Sequence, residues 1–498
     1  MSCYLIPIGG TGVRVMKALV NLCMTGCFAG TQFKVMCIDS DDVNGDIKEL
    51  ETLIRNYKNV PSDMFPELKL VKIEGEERCI WSPLSGDKKK DKRSAMKDMI
   101  AESQMSKDAK KVLQYLYTKP EREKILEGGF YGHTSIGSYF MAQEVVKDGK
   151  YTDVWHDFFD GIKTDDKIFI IGSIFGGTGA SGVPTIARLI KDNDVTADIP
   201  IGAMFVMPYF KPQRKDDELS ELPIDWTTFT TKTKTALSFY LDQKFDEVFD
   251  TMYFIGEDAD AFMTVEYNDC GIKQKNKANP IEVFAATSVL DFIKQKPNDT
   301  LVTKFLTKEV GENGLTPLTQ EMLNEIADSN CFANMSKFLK FSILYNKYLY
   351  PCICEKFSAE KWFSFYKKIE KQDADSLKQI CSNYIEWIKE LIIKNDERGH
   401  MDFSDENDNL VWFWFKNYAQ LYDVSPISGK REGLISKHMV YNLDELEDLK
   451  AIIKGSNQKA GKDIITEFAN EIAPEKSKRK GENTSDLKQL MIDIMELC

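Results

Sequence analysis

Two glycine-rich turns, each directly behind a run of apolar residues, constrain this chain more than any other feature. The sharper one is Gly176-Gly177-Thr178-Gly179-Ala180-Ser181-Gly182. It follows Ile170-Ile171-Gly172-Ser173-Ile174-Phe175 and leads into the helical pattern Val183–Lys191. Its glycines, with Thr178 and Ser181, present a bed of backbone N–H groups and hydroxyls, and the next helix adds the positive end of its dipole. The helical pattern beginning at Val183 leads one to expect Pro184 at the helix start, where its missing N–H would cost nothing. Such a turn suits a polyphosphate. The other turn, Ile8-Gly9-Gly10-Thr11-Gly12-Val13-Arg14-Val15, is weaker alone. A dinucleotide GxGxxG would need a third glycine where Val15 stands, although Asp39 could serve as its ribose acid. Neither is a Walker A loop: Gly132-His133-Thr134-Ser135-Ile136-Gly137-Ser138 has the spacing but lacks the lysine.

The runs Cys3–Ile8, Phe33–Ile38, Lys167–Ile174, Ile199–Met207 and Thr251–Gly256 are continuously apolar, as expected for strands buried on both faces of a parallel sheet. Helical patterns such as Val13–Cys23 lie between them, which predicts an α/β fold with a Rossmann-like, doubly wound parallel sheet. The charged stretches Asp87–Arg93 and Lys211–Glu218 are read as solvated loops. Asn279-Pro280-Ile281-Glu282 opens a long apolar helix through Ile293, and from Met335 the pattern is mostly helical. Leu410–Phe415 and Leu434–Asn442 are strand-like exceptions. A polar linker, Glu475–Asn483, precedes an amphipathic tail in which Leu487, Leu490, Met491, Ile494 and Met495 recur at helical spacing.

At 498 residues the chain is too long for one ordinary core. Its formal net charge of −13 argues against nucleic acid, which selects basic surfaces. No window has the ~18 consecutive apolar residues of a membrane span. The N-terminus reads as a first strand rather than a signal peptide. The 11 cysteines are scattered without a CxxC pair, and the four histidines are dispersed, so reduced thiols and a cytoplasmic location are expected and a Cys/His metal site is not.

Here the residues carry a resemblance. Gly176–Gly182 resembles the GGGTGSG signature of the tubulin/FtsZ superfamily, with Phe175 in place of its first glycine. Gly9-Gly10-Thr11-Gly12 resembles that family's first phosphate loop, and Asp39-Ser40-Asp41-Asp42 its second. Gly132-His133-Thr134-Ser135-Ile136-Gly137 stands where the third lies, and Met207-Pro208-Tyr209-Phe210 resembles the turn after strand five. Asn279–Phe284 is similar to the start of the long central helix. The resemblance spans roughly residues 3–295 and implies GTP/GDP with Mg²⁺ as cofactors. Gly9, Gly10, Thr11, Gly12, Gly132, His133, Gly176, Gly177, Thr178, Gly179 and Ser181 would face the phosphates, Asp39 or Asp41 the metal, and Asn279 the guanine. It also implies self-assembly into filaments, with hydrolysis at subunit interfaces and a protein partner for the tail.

One departure matters. The acidic NxDxx[DE] motif that follows the central helix in tubulin and FtsZ does not appear in 294–300 or 312–321. Asp299 and Glu312 are the candidate catalytic acids, and Asn442–Glu447 has the spacing but comes about 150 residues too late. The expected organisation is a nucleotide-binding domain over 1–278, a central helix and connection over 279–345, a helix-rich domain over 346–472, and linker and tail over 473–498. Two other readings stay open: a GTP-gated scaffold that hydrolyses poorly, and a Rossmann-type dinucleotide enzyme, which needs only one phosphate loop.

Overall fold

A strand covered on both faces has no reason to alternate polar with apolar residues, and the continuous apolar runs do form parallel strands. The computed structural model describes residues 1–60, 65–84, 95–99, 105–123, 126, 130, 134–213, 226–257, 263–266, 271–295, 302–306, 310–311, 314–315, 329–355, 369–392 and 490–491. Along the chain, β1 (Ser2–Ile8) leads into α1 (Gly9–Met24), followed by β2 (Gln32–Val35), β3 (Cys37–Ile38), α2 (Gly45–Lys58), β4 (Glu67–Ile73), β5 (Glu76–Arg78) and β6 (Ile80–Trp81). Next come α3 (Thr134–Val145), β7 (Lys167–Ser173), α4 (Thr178–Lys191), β8 (Ile201–Val206), β9 (Phe210–Gln213), α5 (Phe229–Asp242) and β10 (Thr251–Ile255). The later elements used below are β11 (Met263–Glu266), α6 (Pro280–Lys294), β12 (Val302–Leu306), α7 (Ser329–Leu344) and α8 (Lys371–Ile392).

The main sheet runs β12-β10-β8-β7-β1-β2-β4-β5, with β3 paired to β1 and β6. All its pairs are parallel except the β4–β5 hairpin. From β1 the chain winds outward through β2 and β4, then returns to the other side of β1 at β7 and winds outward again. The strand order therefore reverses between β1 and β7, where ligands of open α/β sheets bind. Ile8 is in register with both Gly172 and Ile38, so three strands end side by side there.

Alternate residues of β1 feed two cores. Cys3 and Leu5 point into one apolar cluster with α1, α2 and α6, while Tyr4, Ile6 and Ile8 join α3 and α4 in the other. Helix α1 lies under the sheet and against α2 and α6, so nearly all of it is buried. A helix so enclosed must be apolar nearly all round, as Val13, Val15, Met16, Leu19, Val20 and Leu22 are. Each such side chain contributes about 1.5–3 kcal/mol on full burial. At the far end of α6, Lys167 Nζ donates to the carbonyls of Phe292 at 2.6 Å and Ile293 at 3.0 Å, closing that terminus.

The run Phe33–Ile38 is in fact two short strands, parted at Met36. There Met36 N donates to Leu5 O, and Cys37 N turns to Cys79 O. Strand β4 escaped the sequence reading because Glu67-Leu68-Lys69-Leu70-Val71-Lys72-Ile73 mixes exposed with buried positions near a sheet edge. Helices α7 and α8 share the α1-side cluster through Phe338, Leu339, Leu377, Tyr384 and Trp387. Leu490 and Met491 of the tail are fully buried in that same cluster. The strand-like segments 410–415 and 434–442 and the linker 475–483 lie outside the described residues. Among the described residues, no helix is long and apolar enough to cross a membrane.

Candidate functional site

Both glycine turns sit where the strand order reverses, and they touch. Gly9 has φ +73°, a conformation open to glycine, and a Cβ there would lie 3.2 Å from Gly179 N. A Cβ on Gly179 would in turn press to 2.6 Å on Ser173 O, and one on Gly12 to 2.9 Å on Ile171 O. These glycines let two strand-to-helix turns nest with their backbones in contact. Gly10, Gly176 and Gly177 are half-exposed at the mouth of the nest.

The helix ends differ in a telling way. Among the described residues neither α1 nor α4 has a side-chain N-cap, and neither carries an acid in its first turn. By contrast α2 is capped by Asn44 with Asp46 in its first turn, and α6 by Asn279 with Glu282. The two helices that start at the switch point thus keep their first-turn N–H groups and positive dipole ends uncompensated by side chains, an arrangement that attracts an anion.

The loop after β3 closes one side. The Ser40 and Thr178 hydroxyls share a 3.2 Å hydrogen bond, tying it to the second glycine turn. Asp39 is buried beside them and accepts from Asp41 N at 3.3 Å and Ser40 Oγ at 3.4 Å. Burial pushes its carboxyl up to about 7, aided by the Asp41 charge and opposed by those N–H and O–H donors. Asp41 spends its oxygens on Val43 N at 3.2 Å and Gly271 N at 2.8 Å, pinning the chain ahead of α6.

Beneath the first turn lies a buried ionic network. Arg14 Nε donates to Glu282 Oε1 at 2.7 Å, and Arg14 Nη2 to Tyr209 Oη at 2.7 Å and Thr11 Oγ1 at 3.3 Å. Tyr209 Oη donates to the same Glu282 oxygen at 2.9 Å. Burial opposes the Arg14 charge, but Tyr209, Glu282 and Asp46 outweigh it and hold the guanidinium protonated well above its ordinary range. Lys17, one turn on, donates to Asp46 and Glu49, both at 2.8 Å. The motifs Gly9–Val15 and Asn279–Phe284 contain Arg14 and Glu282 but do not by themselves reveal this pairing. The signal was available: charged residues within a mostly apolar, enclosed helix must have buried partners.

Asn279 reaches the same neighbourhood. Its Oδ1 accepts from Ile281 N at 2.9 Å, and Glu282 Oε2 accepts from Asn279 N at 3.1 Å, a capping box that joins α6 to the Arg14 network. Ser181 lies below the nest, its hydroxyl donated to the carbonyls of Gly177 at 2.8 Å and Thr178 at 3.1 Å. The structure therefore gathers Gly9, Gly10, Thr11, Gly12, Asp39, Gly176, Gly177, Thr178 and Gly179 at one place. Gly132, His133, Asp299 and Glu312 lie outside the described residues. Helix α3, which begins just after His133, packs Gly137 tightly on Ser181. Among the described residues no group of three or more His, Cys, Asp or Glu is arranged to hold a metal alone. A separate cleft of about 720 Å³ opens beside β4, lined in part by Lys34, Tyr57, Phe65, Lys69 and Asp160, and is remote from the glycine turns in the sheet order.

No protein-family model and no curated protein matches this sequence. Among solved structures, CetZ from Methanosaeta thermophila strain DSM 6194 is similar at 14% identity, over 60% of this chain and 56% of that one, with a TM-score of 0.28. A GTPγS-form protofilament of Bacillus thuringiensis serovar israelensis TubZ is similar at 11% identity, over 51% and 47%, with a TM-score of 0.20. The chain thus spans about half the length of the solved structures it matches. By its strand order this is an α/β protein with a doubly wound, mostly parallel sheet and two glycine turns joined at its switch point.

Proposed function

We propose that the chain binds GTP at the switch point and that the bound nucleotide governs its self-association into filaments. One observation carries the binding: two neighbouring parallel strands end in glycine turns whose backbones touch, each opening a helix without a side-chain cap. A dinucleotide enzyme needs one such turn; two of them suit a triphosphate. The choice of GTP and of filaments rests on the resemblance of the turns and of Asn279–Phe284 to the tubulin/FtsZ signature.

The residues present fit the group. Gly9 and Gly179 form a cradle that any Cβ would crowd. Backbone N–H groups of Gly10, Thr11, Gly12, Gly177, Thr178 and Gly179 would hold the phosphates, and the Asn279 amide would pair with the guanine edge. Asp39 would help hold Mg²⁺, which usually takes one or two carboxylates together with phosphate oxygens and water. Asp41, with both oxygens bound to backbone, would act by holding that loop in place. When bound, the metal supplies neutralisation of charge on the phosphates. If water attacks the γ-phosphate to give GDP and phosphate, Asp299 or Glu312 of a neighbouring copy is the candidate to orient it. The missing NxDxx[DE] motif favours a second reading, a GTP-gated scaffold that turns over slowly.

The test mixes purified protein with GTP, ATP or NAD, each with Mg²⁺, and measures binding, phosphate release and pelleting. GTP-selective binding with GTP-dependent pelleting supports the proposal, and slow phosphate release then selects the scaffold. Binding of NAD alone, or of none, overturns it.

A further inference from the structure

We infer that Cys27 and Cys331 are a reversible dithiol–disulfide site, one that staples the end of α1 to the start of α7 when the chain meets a small-molecule disulfide. The two thiols come from positions 304 residues apart, yet their Sγ atoms stand 2.9 Å from one another. A disulfide needs about 2.0 Å, so the two sulfurs have less than an ångström left to close. The placement is asymmetric. Cys27 lies just past the end of α1, half-exposed, with its sulfur also 2.9 Å from Thr25 Oγ1. Cys331 is 1% exposed, packed in the cluster of Phe338 and Tyr384. An accessible thiol backed by a buried one is the arrangement that thiol–disulfide exchange requires.

The exchange balances without any other reactant. The Cys27 thiolate attacks one sulfur of the small disulfide, forming a mixed disulfide and expelling one small thiolate. Cys331 then passes its proton to the small thiolate just expelled beside it and attacks the Cys27 sulfur, expelling the second. Two protein thiols are oxidised to one disulfide, and one small disulfide is reduced to two thiols. Cys37 in β3 and Cys79 between β5 and β6, whose sulfurs are 3.7 Å apart, make the contrast: both are buried, so neither is open to an oxidant. The Cys27–Cys331 bond would tie α7 to the helix whose other end carries the first glycine turn. This inference stands independently of what that turn binds.

The experiment incubates the full chain with reduced or oxidised glutathione and maps non-reduced, alkylated peptides by mass spectrometry. The expected result is a Cys27–Cys331 peptide, loss of two of the 11 thiols, and reversal by dithiothreitol. Oxidised protein should also melt several degrees higher than reduced protein, because the cross-link constrains the unfolded chain. Cys27→Ser and Cys331→Ala should each abolish the link and the shift while melting near wild type in reductant. Should Cys331→Ala fold poorly, the half-exposed Cys27→Ser decides alone. Glutathione retained on Cys27 without the internal link, linkage to another cysteine, or eleven unreacted thiols would overturn the inference.

Discussion

A side chain on Gly10 would meet nothing closer than Arg14 Nη1 at 3.8 Å, whereas one on Gly12 would press to 2.9 Å on Ile171 O and the Pro7 carbonyl carbon. The two positions therefore separate ligand contact from folding. Gly10→Val should leave the melting temperature within a few degrees and lower GTP affinity at least ~100-fold, because a branched side chain would stand where phosphate must approach backbone. Calorimetric titration beside thermal melting checks this, and unchanged affinity in the folded variant would remove the first turn from the site. Asp39 makes a pH prediction. The folded protein holds its carboxyl proton up to about 7, against an ordinary 3.8. Its contribution to stability is thus complete below the ordinary value, declines as pH rises between the two, and stays low above the folded value. Asp39→Asn should melt higher than wild type at about pH 8 and equal to it near pH 3, while Mg²⁺-dependent GTP binding weakens. Melting curves across pH that run parallel for the two proteins would show that the buried carboxyl is not the source.

At the scale of elements, α1 and α6 are held together by charges rather than by packing alone. Glu282 accepts from Arg14, Tyr209 and Asn279 N, so it serves as ion-pair partner, hydrogen-bond acceptor and half of a capping box at once. Removing one member of such a buried set typically costs about 3–5 kcal/mol, because the other charge is left uncompensated. This coupling means that whatever displaces the first glycine turn also acts on the start of α6. Asn279 caps α6, and a single variant can separate that role from its proposed contact with the base. Serine caps a helix as well as asparagine but is shorter and has a single polar atom, so it cannot meet a base edge with a separate donor and acceptor side by side. Asn279→Ser should keep the melting temperature of wild type and bind GTP about 10-fold more weakly, a loss near the ~1 kcal/mol of a net hydrogen bond. Asn279→Ala should lose about 1 kcal/mol of stability as well. Equal GTP affinity in all three proteins would leave Asn279 with the cap alone.

For the whole molecule, the tail reads differently in space than in sequence. Its apolar stripe and polar tether resemble a docking peptide, yet Leu490 and Met491 are buried in the cluster shared by α1, α6, α7 and α8. At these two residues the surface that the stripe covers belongs to this chain. Deleting 485–498 should therefore lower the melting temperature by several degrees, each lost buried side chain removing about 1.5–3 kcal/mol. A truncated protein that melts like wild type but loses pelleting or a binding partner would restore the docking role.

The sequence by itself determined what is local. A strand buried on both faces must be continuously apolar, and a turn that brings backbone against backbone must be glycine, so β1, β7, β8, β10 and the two glycine turns were legible from composition and order alone. So was the Asn279 cap, since Asn-Pro-x-Glu is a helix start at any place in a chain. The tertiary structure alone decided which of these pieces meet. Nothing local says that β7 lies beside β1, that Gly9 rests on Gly179, or that Arg14 finds Glu282 268 residues later. Those pairings follow from the winding of the sheet, which puts residues far apart in sequence at neighbouring strand ends. The same holds for β4, whose mixed polarity makes sense only near an edge, and for Asp39, whose carboxyl is raised by burial that its own segment does not supply. Polarity and backbone freedom are properties of residues; desolvation and partnership are properties of the folded arrangement.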